Sequence, residues 1–345
     1  MKYFPGKSLA AVLAAAMLSP LLCGCTRVLP EDYVNPFESS GAQSSQSEES
    51  SQPSEPEIPE EIPPSSSEPD EEEDGGSEEP ASSSEPEEKV GYVPAMNADY
   101  AQLEGIPTAP VTWGPGRQGD DKNRPYGSTS CQDQYGKYCA YFIAPDSEKV
   151  YLTFDEGYEA EGRYTEKILD TLKEKDAKAV FFITGDYARR NGDLVQRMID
   201  EGHIVGSHSW SHPSNPAMPG LAVDKSAEEL TKLHDYVKEN FNYEMSLFRF
   251  PAGEFSEQTL ALVQDMGYQS VFWSFAYRDW ETNNQMSRED AMKEIQGRAH
   301  PGAIYLLHAV SSTNAEILGD VIDWLREQGY TISEYDLPYF ERGAE

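Results

Sequence analysis

From Val150 onward, short apolar segments alternate with amphipathic segments, and this alternation constrains the fold more than any other feature. Short apolar runs predict strands, and apolar residues three and four positions apart predict helices. The predicted strands are 150–154, 179–183, 204–205, 247–250, 270–273, 303–307 and 330–332. The predicted helices are 164–175, 194–200, 226–241, 256–266, 288–298 and 315–328. Such alternation indicates an α/β fold with a parallel sheet, and six or seven units favour a barrel related to the TIM design over a doubly wound open sheet.

Polar side chains follow these predicted strands at the point where each strand ends. In chain order they are Asp155, Glu156, His208, His212, Arg249, Asp279 and His308. Barrel enzymes build their active sites at the carboxyl ends of the strands. The shared position of these side chains therefore favours an enzyme over a binding module.

His208 and His212 lie four residues apart. On a helical turn, two imidazoles at this spacing face the same way and can share one metal ion. The zinc-protease motif needs a glutamate directly after the first histidine, and Ser209 at that position disfavours that class. The spacing alone is also compatible with structural or surface histidines.

Asp155 and Glu156 are adjacent carboxylates just past an apolar strand. One of them could bind a metal ion while the other acts as a base, but a turn with solvated acids or a helix cap gives the same pattern. His308 ends the apolar run 304–307. A histidine suits general-acid catalysis because its pKa lies near neutrality, although this position taken alone favours a hydrogen-bonded core histidine.

The amino-terminal segment resembles an export signal. Lys2 and Lys7 precede an apolar run at 9–22, which is shorter than the roughly 20 residues that a transmembrane helix needs. The run ends in Leu22-Cys23-Gly24-Cys25, which resembles the lipobox of bacterial lipoproteins. The resemblance implies cleavage before Cys25 and lipidation of its thiol, and the alternative is an ordinary secretory signal. We therefore expect an extracytoplasmic protein held to the cell membrane by lipid and facing the cell wall.

Residues 38–88 contain 18 Asp or Glu, 15 Ser and 8 Pro, and no Lys, Arg or aromatic residue. Such a stretch cannot bury enough apolar surface to offset chain entropy, so we predict a disordered linker. The net charge of −34 argues against nucleic-acid binding and against electrostatic docking on anionic lipid. The predicted organisation is a signal at 1–24, a lipidated segment at 25–37, the linker at 38–88, an extension at 89–147 and a catalytic domain at 148–340.

Cys131 and Cys139 both lie in the extension, eight positions apart. Export places them where thiols can be oxidised, so we predict a disulfide between them, with two free thiols as the alternative. The pair would then staple the extension on the barrel.

Five motifs together resemble the NodB-type polysaccharide deacetylases, carbohydrate esterase family 4, over about residues 148–335. They are Thr153-Phe154-Asp155-Glu156-Gly157, His208-Ser209-x-x-His212-Pro213, Arg249-Phe250-Pro251, Asp279-Trp280 and Leu306-Leu307-His308. The stretches 272–274 and 300–308, with Trp113-Gly114, are most similar to the muramic-acid deacetylases, which prepare muramic δ-lactam in the spore cortex. The resemblance implies an irregular (β/α)7 barrel and metal-assisted hydrolysis of an N-acetyl group.

The resemblance also implies a role for each residue. Asp155 would be the general base, oriented by Arg249, and His308 would protonate the leaving amine while Asp279 holds it in the acid form. His208 and His212 would hold a divalent metal ion, with zinc expected, and the backbone N–H of Ala252 would stabilise the oxyanion. Glu156 stands where the family usually has an Asp ligand, and it would either reach the ion or swing away.

The expected partner is the glycan of peptidoglycan, with N-acetylmuramic acid stripped of its peptide as the preferred substrate. An N-acetylglucosamine or exopolysaccharide deacetylase is the alternative within the same class. A glycan-binding lipoprotein that lost catalysis is the alternative from another class, and Glu156 is the one feature that supports it. The membrane is reached only through lipid, and the oligomeric state and the biological occasion stay open.

Overall fold

The computed structural model describes residues 96, 98–116 and 122–343. The predicted signal at 1–24, the lipidation site Cys25 and the linker at 38–88 lie outside the described residues. None of the helices within the described ranges combines the length and the apolar character needed to cross a membrane.

The described residues form eight strands and eight α-helices. The strands are β1 (Ala140–Tyr141), β2 (Lys149–Glu156), β3 (Ala179–Ile183), β4 (Ile204–Ser207), β5 (Leu247–Phe248), β6 (Gln269–Val271), β7 (Ile304–His308) and β8 (Thr331–Ile332). The helices are α1 (Tyr126–Tyr135), α2 (Tyr164–Glu174), α3 (Gly185–Arg190), α4 (Gly192–Asp200), α5 (Val223–Phe241), α6 (Glu257–Asp265), α7 (Arg288–Gly297) and α8 (Ser312–Glu327).

The strands pair in parallel in the order β1-β6-β5-β4-β3-β2-β7, and β8 pairs with the start of β2. A single parallel bridge between Phe275 and Tyr305 joins the chain after β6 to β7. The sheet is therefore curled, with helices outside. This arrangement confirms the predicted irregular (β/α)7 barrel rather than an open sheet.

The strand predicted at 330–332 is present as β8, but it lies off the main order of the sheet. It covers only Thr331 and Ile332, which pair with Lys149 and Val150. The seventh member of the curled sheet is β1, from the extension, which pairs with Ser270 and Val271 of β6. Two residues give no periodicity, so this strand could not be recognised before its partner was known. Helices α1 and α3 were also not predicted.

Most of the barrel wall is apolar on both faces, as expected for parallel strands covered by helices. Every residue of β3 is buried, and β2 is buried from Val150 to Glu156. One side of β2 carries Leu152 and Phe154, which pack in the main core under the helices. The opposite side carries Tyr151, Thr153 and Asp155, because successive side chains of a strand alternate between its faces. Asp155 is therefore the last residue of the inward-facing row.

The predicted disulfide is wrong, because Cys131 and Cys139 form no disulfide in the structure and both are buried. Cys131 lies in α1 and belongs to the main core. Cys139 belongs to a second apolar cluster, and its sulfur lies 3.5 Å from the backbone nitrogen of Phe340 and 3.7 Å from the side-chain nitrogen of Gln269. The two thiols are thus parts of different packing clusters, and spacing in the sequence could not show this.

Candidate active site

The carboxylate of Asp155 forms a buried ion pair with Arg249 across the barrel. Nη1 of Arg249 donates to Oδ1 of Asp155 at 2.8 Å, and Arg249 is fully buried. Burial alone would raise the pKa of Asp155, but the positive charge of Arg249, together with His208 and His308, outweighs it and lowers the pKa. Asp155 is therefore ionised at neutral pH and can accept a proton.

Arg249 is fixed by more than its carboxylate partner. Nε donates to the carbonyl of Val271 at 2.9 Å, and Nη2 donates to the carbonyl of Phe272 at 3.0 Å. The guanidinium group also lies 4.2 Å above the ring of Phe182. Because each of its three guanidinium nitrogens donates a hydrogen bond, Arg249 can present its charge to Asp155 in only one orientation.

His208 lies on the other side of Asp155, and one hydrogen bond determines its tautomer. Its Nδ1 lies 2.9 Å from the carbonyl oxygen of Arg249, which can only accept, so Nδ1 carries the proton of the neutral ring. Nε2 then has a free lone pair, 3.5 Å from Oδ2 of Asp155. Burial lowers the pKa of His208 to about 4, so the ring is neutral near pH 7. A neutral imidazole held in this way is the form that binds metal ions.

The loop that carries the histidine pair is not helical, which corrects the expectation of a helical turn. His208 and His212 follow β4, and both Ser209 and His212 adopt left-handed backbone conformations, with φ of 69° and 51°. Serine hydroxyls hold the loop: Ser207 accepts from the N–H of Ser209, and Ser209 accepts from the N–H of His212. The two imidazole rings nevertheless lie 4.9 Å apart, centroid to centroid. The loop therefore brings them together by a different route.

The side chain of Glu156 points away from the histidines. Of the two alternatives, reaching the ion or swinging away, it has the second. It follows Asp155 on β2 and so lies on the opposite face of the sheet. Its fully buried carboxyl group lies among Glu159, Thr165 of α2 and Tyr187 of α3. Burial, with the charges of Glu159 and Asp155, raises the pKa of Glu156 well above its ordinary value. The position in which the family usually has an Asp ligand is therefore turned towards the helices.

The donor set fits a divalent ion bound by two imidazoles. His208 offers a free Nε2, His212 lies beside it, and the Asp155 carboxylate is adjacent. No group of three or more His, Cys, Asp or Glu side chains arranged to hold a metal ion occurs within 96, 98–116 and 122–343. The remaining coordination positions would therefore be left to water or substrate, as in metal sites that do chemistry.

His308 and Asp279 form the second ion pair of the site. Nδ1 of His308 lies 2.8 Å from Oδ1 of Asp279, and the backbone N–H of His308 donates to Oδ2 at 2.8 Å. Burial opposes the charged ring, but the carboxylates of Asp279 and Asp155 outweigh it and raise the pKa of His308. About 15% of the His308 side chain is exposed, whereas Asp279 is fully covered. His308 can therefore carry a proton and present it to a substrate.

One residue of this acid pair was missed by the sequence reasoning. Asn314 on α8 donates from Nδ2 to Oδ2 of Asp279 at 2.6 Å and to the carbonyl of His308 at 3.1 Å. Its own Oδ1 accepts from the hydroxyl of Tyr277. Asn314 is 2% exposed, so a buried amide with every group used lies behind the pair. The sequence signals were its place shortly after a strand-end histidine and the similarity of Asn314-Ala315-Glu316 to the muramic-acid deacetylases, and neither indicated this role.

The turn after Arg249 contains Ala252 in a left-handed conformation, with φ of 52°. Gly253 follows with φ of 69°. The turn begins at Phe250, directly after the arginine that binds Asp155. The predicted oxyanion residue thus lies three positions after the arginine that binds Asp155. The ring of Trp280 lies 5.8 Å from that of His308.

The sequence of this chain is similar to sequences of known deacetylases. A family model described as polysaccharide deacetylase matches residues 143–271. The chain is 40% identical over 244 residues to the peptidoglycan-N-acetylmuramic acid deacetylase PdaA of Bacillus subtilis, covering 70% of this chain and 90% of that protein. It is 31% identical over 199 residues to the peptidoglycan-N-acetylglucosamine deacetylase PgdA of Listeria monocytogenes, covering 58% of this chain and 40% of that protein.

A solved structure matches the same region. The structure of B. subtilis PdaA, described as a family 4 carbohydrate esterase, superposes with a TM-score of 0.61 at 39% identity. The match covers 66% of this chain and 95% of that chain. The barrel with its surrounding helices is therefore shared with a solved esterase structure over nearly that protein's whole length.

Proposed function

The chain belongs to the polysaccharide deacetylases, hydrolases of carbohydrate esterase family 4, and we propose that it removes N-acetyl groups from the glycan of peptidoglycan. The preferred sugar in this proposal is N-acetylmuramic acid that has lost its peptide, a step towards muramic δ-lactam. One observation carries it: a base held by Arg249 and an acid held by Asp279 flank the His208–His212 pair. Hydrolysis of an amide needs both a base and an acid, whereas a glycan-binding protein needs neither.

In the proposed reaction, Asp155 takes a proton from water while the water oxygen bonds to the acetamide carbonyl carbon. The backbone N–H of Ala252 stabilises the negative charge that develops on the carbonyl oxygen. His308 then gives its proton to the sugar nitrogen as the carbon–nitrogen bond breaks. The products are acetate and a free amino sugar, so atoms and charges balance.

His208 and His212 are the residues that would hold a divalent metal ion, with zinc as the proposed ion. Such an ion, when bound, polarises the acetamide carbonyl and lowers the pKa of water. The two histidines would bind the ion as neutral imidazoles. The tautomer of His208 leaves the lone pair of its Nε2 free for this. Glu156 takes no part in this proposal, because its carboxyl group lies on the other face of the strand.

The sugar preference rests on similarity. The relative named for N-acetylmuramic acid shares more identity and far more of its length with this chain than the relative named for N-acetylglucosamine does. The second sugar is therefore the alternative that the experiment must separate from the first.

The test uses the purified protein and peptidoglycan glycan with and without prior removal of stem peptides. Mass spectrometry identifies which sugar loses acetyl, with and without a chelator. Loss from peptide-free muramic acid alone, abolished by the chelator and by Asp155→Asn, is expected. Loss from glucosamine would keep the reaction and overturn the sugar, and no acetyl loss with any divalent ion would favour the binding-protein hypothesis.

We also propose that the protein is anchored to the extracytoplasmic side of the membrane by lipid on Cys25. The proposal rests on the charged start, the apolar run at 9–22 and the lipobox-like residues. The change Cys25→Ser should release the protein from the membrane fraction while it keeps its activity. Retention of that variant in membranes would contradict lipid anchoring through Cys25.

A further inference from the structure

The turn that carries Ala252 is strained and needs support from its surroundings. Ala252 and Gly253 are two consecutive residues with left-handed φ. Alanine adopts this conformation at a cost, because its Cβ crowds the backbone, and such residues persist where neighbouring structure holds them in place. A Cβ added at Gly253 would lie only 2.6 Å from the Trp273 ring and 3.3 Å from Nε1 of Trp113. The turn is therefore seated tightly against two indole rings.

Trp113 provides a hydrogen bond to this turn from far away in the sequence. Its Nε1 donates to the carbonyl oxygen of Gly253 at 2.9 Å, and the indole is 8% exposed. The ring itself is held in place by three neighbours, with centroid distances of 4.9, 5.4 and 5.1 Å to Phe142, Phe272 and Trp273. A donor fixed in this way can set the position of the Gly253 peptide.

The extension that carries Trp113 is fastened to the barrel by two backbone hydrogen bonds just before that residue in the chain. The N–H of Val111 donates to the carbonyl of Phe255 at 2.8 Å, and the N–H of Gln258 donates to the carbonyl of Pro107 at 3.0 Å. These bonds tie residues 107–113 to the segment 253–258. Trp113 lies outside residues 143–271, the part matched by the family model.

The segment 249–253 thus has two anchors. At its start Arg249 binds Asp155, and the Arg249 carbonyl fixes the tautomer of His208. At its end the only side-chain hydrogen bond described to Gly253 comes from Trp113. Ala252 lies between these anchors, so a change at the second one should alter where its N–H points.

We propose that Trp113 is a positioning residue that holds the Ala252 turn in its reactive conformation, so that the extension is part of the active site. The inference rests on the proposed function, because it takes the Ala252 N–H as the group that stabilises the oxyanion. Loss of the indole N–H should weaken stabilisation of the transition state and leave substrate binding largely intact.

The test is a double-mutant cycle on the full chain, with acetate release from peptide-free glycan as the assay. Trp113→Phe keeps a large ring and removes the donor, and we expect kcat to fall about tenfold with KM nearly unchanged. Ala252→Gly removes the conformational strain of the turn, so Trp113→Phe should cost clearly less in that background. Trp324→Phe, the same change on α8, is the matched control and should leave kcat as in the parent.

Three results would count against the inference. Equal kcat in Trp113→Phe and the parent would overturn it, as would a fall in kcat that Ala252→Gly does not reduce. A loss of thermal stability that accounts for the lost activity would assign Trp113 a structural role instead. The absence of acetate release from the parent protein would overturn the proposed function itself and is distinguishable from these outcomes.

Discussion

The site contains two buried ion pairs that are built in opposite ways. In the Asp155–Arg249 pair the carboxylate is the proposed reacting group, and its partner is an arginine that keeps its charge at any ordinary pH. In the His308–Asp279 pair the titratable cation is the proposed reacting group, and the carboxylate is the fixed partner. The first pair lowers the pKa of the Asp155 carboxyl group and the second raises the pKa of the His308 imidazole. Both shifts favour the charged form, which suits the proposed roles of Asp155 as proton acceptor and His308 as proton donor.

The difference also shows in how each pair is covered. Arg249 is fully buried and bonded to two backbone carbonyls, whereas His308 remains partly exposed at the mouth of the barrel. A group that only orients its partner can be sealed in the protein, but a group that gives a proton to substrate must be reachable. Exposure to solvent, more than charge, therefore distinguishes the proposed acid His308 from the residues that support it.

The largest expected effect comes from the reacting carboxylate. Asp155→Asn keeps the shape and removes the base, so kcat should fall by about a thousandfold in the acetate-release assay. Glu156→Gln is the matched control, since it makes the same kind of change one residue later on the opposite face of β2. It should keep activity within about twofold, because its buried carboxyl group lies on the face of β2 that points away from the reacting groups. Equal losses in both variants would contradict the assignment of the two carboxylates to different faces.

The second prediction concerns stability. Arg249→Met leaves the Asp155 carboxylate buried without its cation, and the free energy of unfolding should fall by about 3–5 kcal/mol. Chemical denaturation measures this loss. The double variant Arg249→Met with Asp155→Asn should recover part of it, because the unpaired charge is gone. A single variant as stable as the parent would show that the pair contributes no net stability.

The third prediction uses the pH dependence of kcat to distinguish the two ion pairs. The protonated form of His308 is the donor, and it is present below its pKa. Asp279 raises that pKa, so activity should be lost only as the pH rises through the raised value. Asp279→Asn should lower kcat roughly a hundredfold and move the alkaline limb of the kcat profile to lower pH. An unmoved alkaline limb would mean that His308 is not the group that titrates there.

The smallest effect on kcat is expected for Asn314, which lies behind the His308–Asp279 pair. Asn314→Ala removes three hydrogen bonds, to Asp279, to the His308 carbonyl and from the Tyr277 hydroxyl, and should lower kcat about tenfold with a smaller shift of the same limb. Thr313→Val, at the neighbouring position, removes a hydroxyl that donates to the Met286 carbonyl and should leave kcat unchanged. If both variants behave alike, Asn314 contributes to packing and not to the acid.

Much of the fold and of the site's residue set could be predicted, because both depend on local patterns. The apolar run 179–183 coincides with β3, and the helix predicted from Tyr164 begins at that residue. Parallel strands bring their carboxyl ends to one edge, so residues that follow different strands had to meet there. Asp155, His208, Arg249 and His308 accordingly lie together, although Asp155 and Arg249 are 94 positions apart.

Contacts that depend on rotamers or distant partners could not be predicted. The cysteines at 131 and 139 have a spacing that permits a bridge, yet the chain around them packs into two different clusters. Asn314 and Trp113 have no distinctive spacing, because their hydrogen bonds join residues that are far along the chain or in another element. The loop between His208 and His212 depends on two left-handed residues that no helical or strand period describes.

The sequence by itself determined the alternation of strands and helices, the parallel barrel and the set of polar residues at its edge. Periodicity and strand-end position are properties of neighbouring residues, so they can be read without coordinates. Only the tertiary structure decided that Glu156 faces the helices, that β1 supplies the seventh strand and that Trp113 reaches the Ala252 turn. Each of these depends on which distant surface is available to pack against, and that is settled when the barrel closes and its side chains compete for the same space.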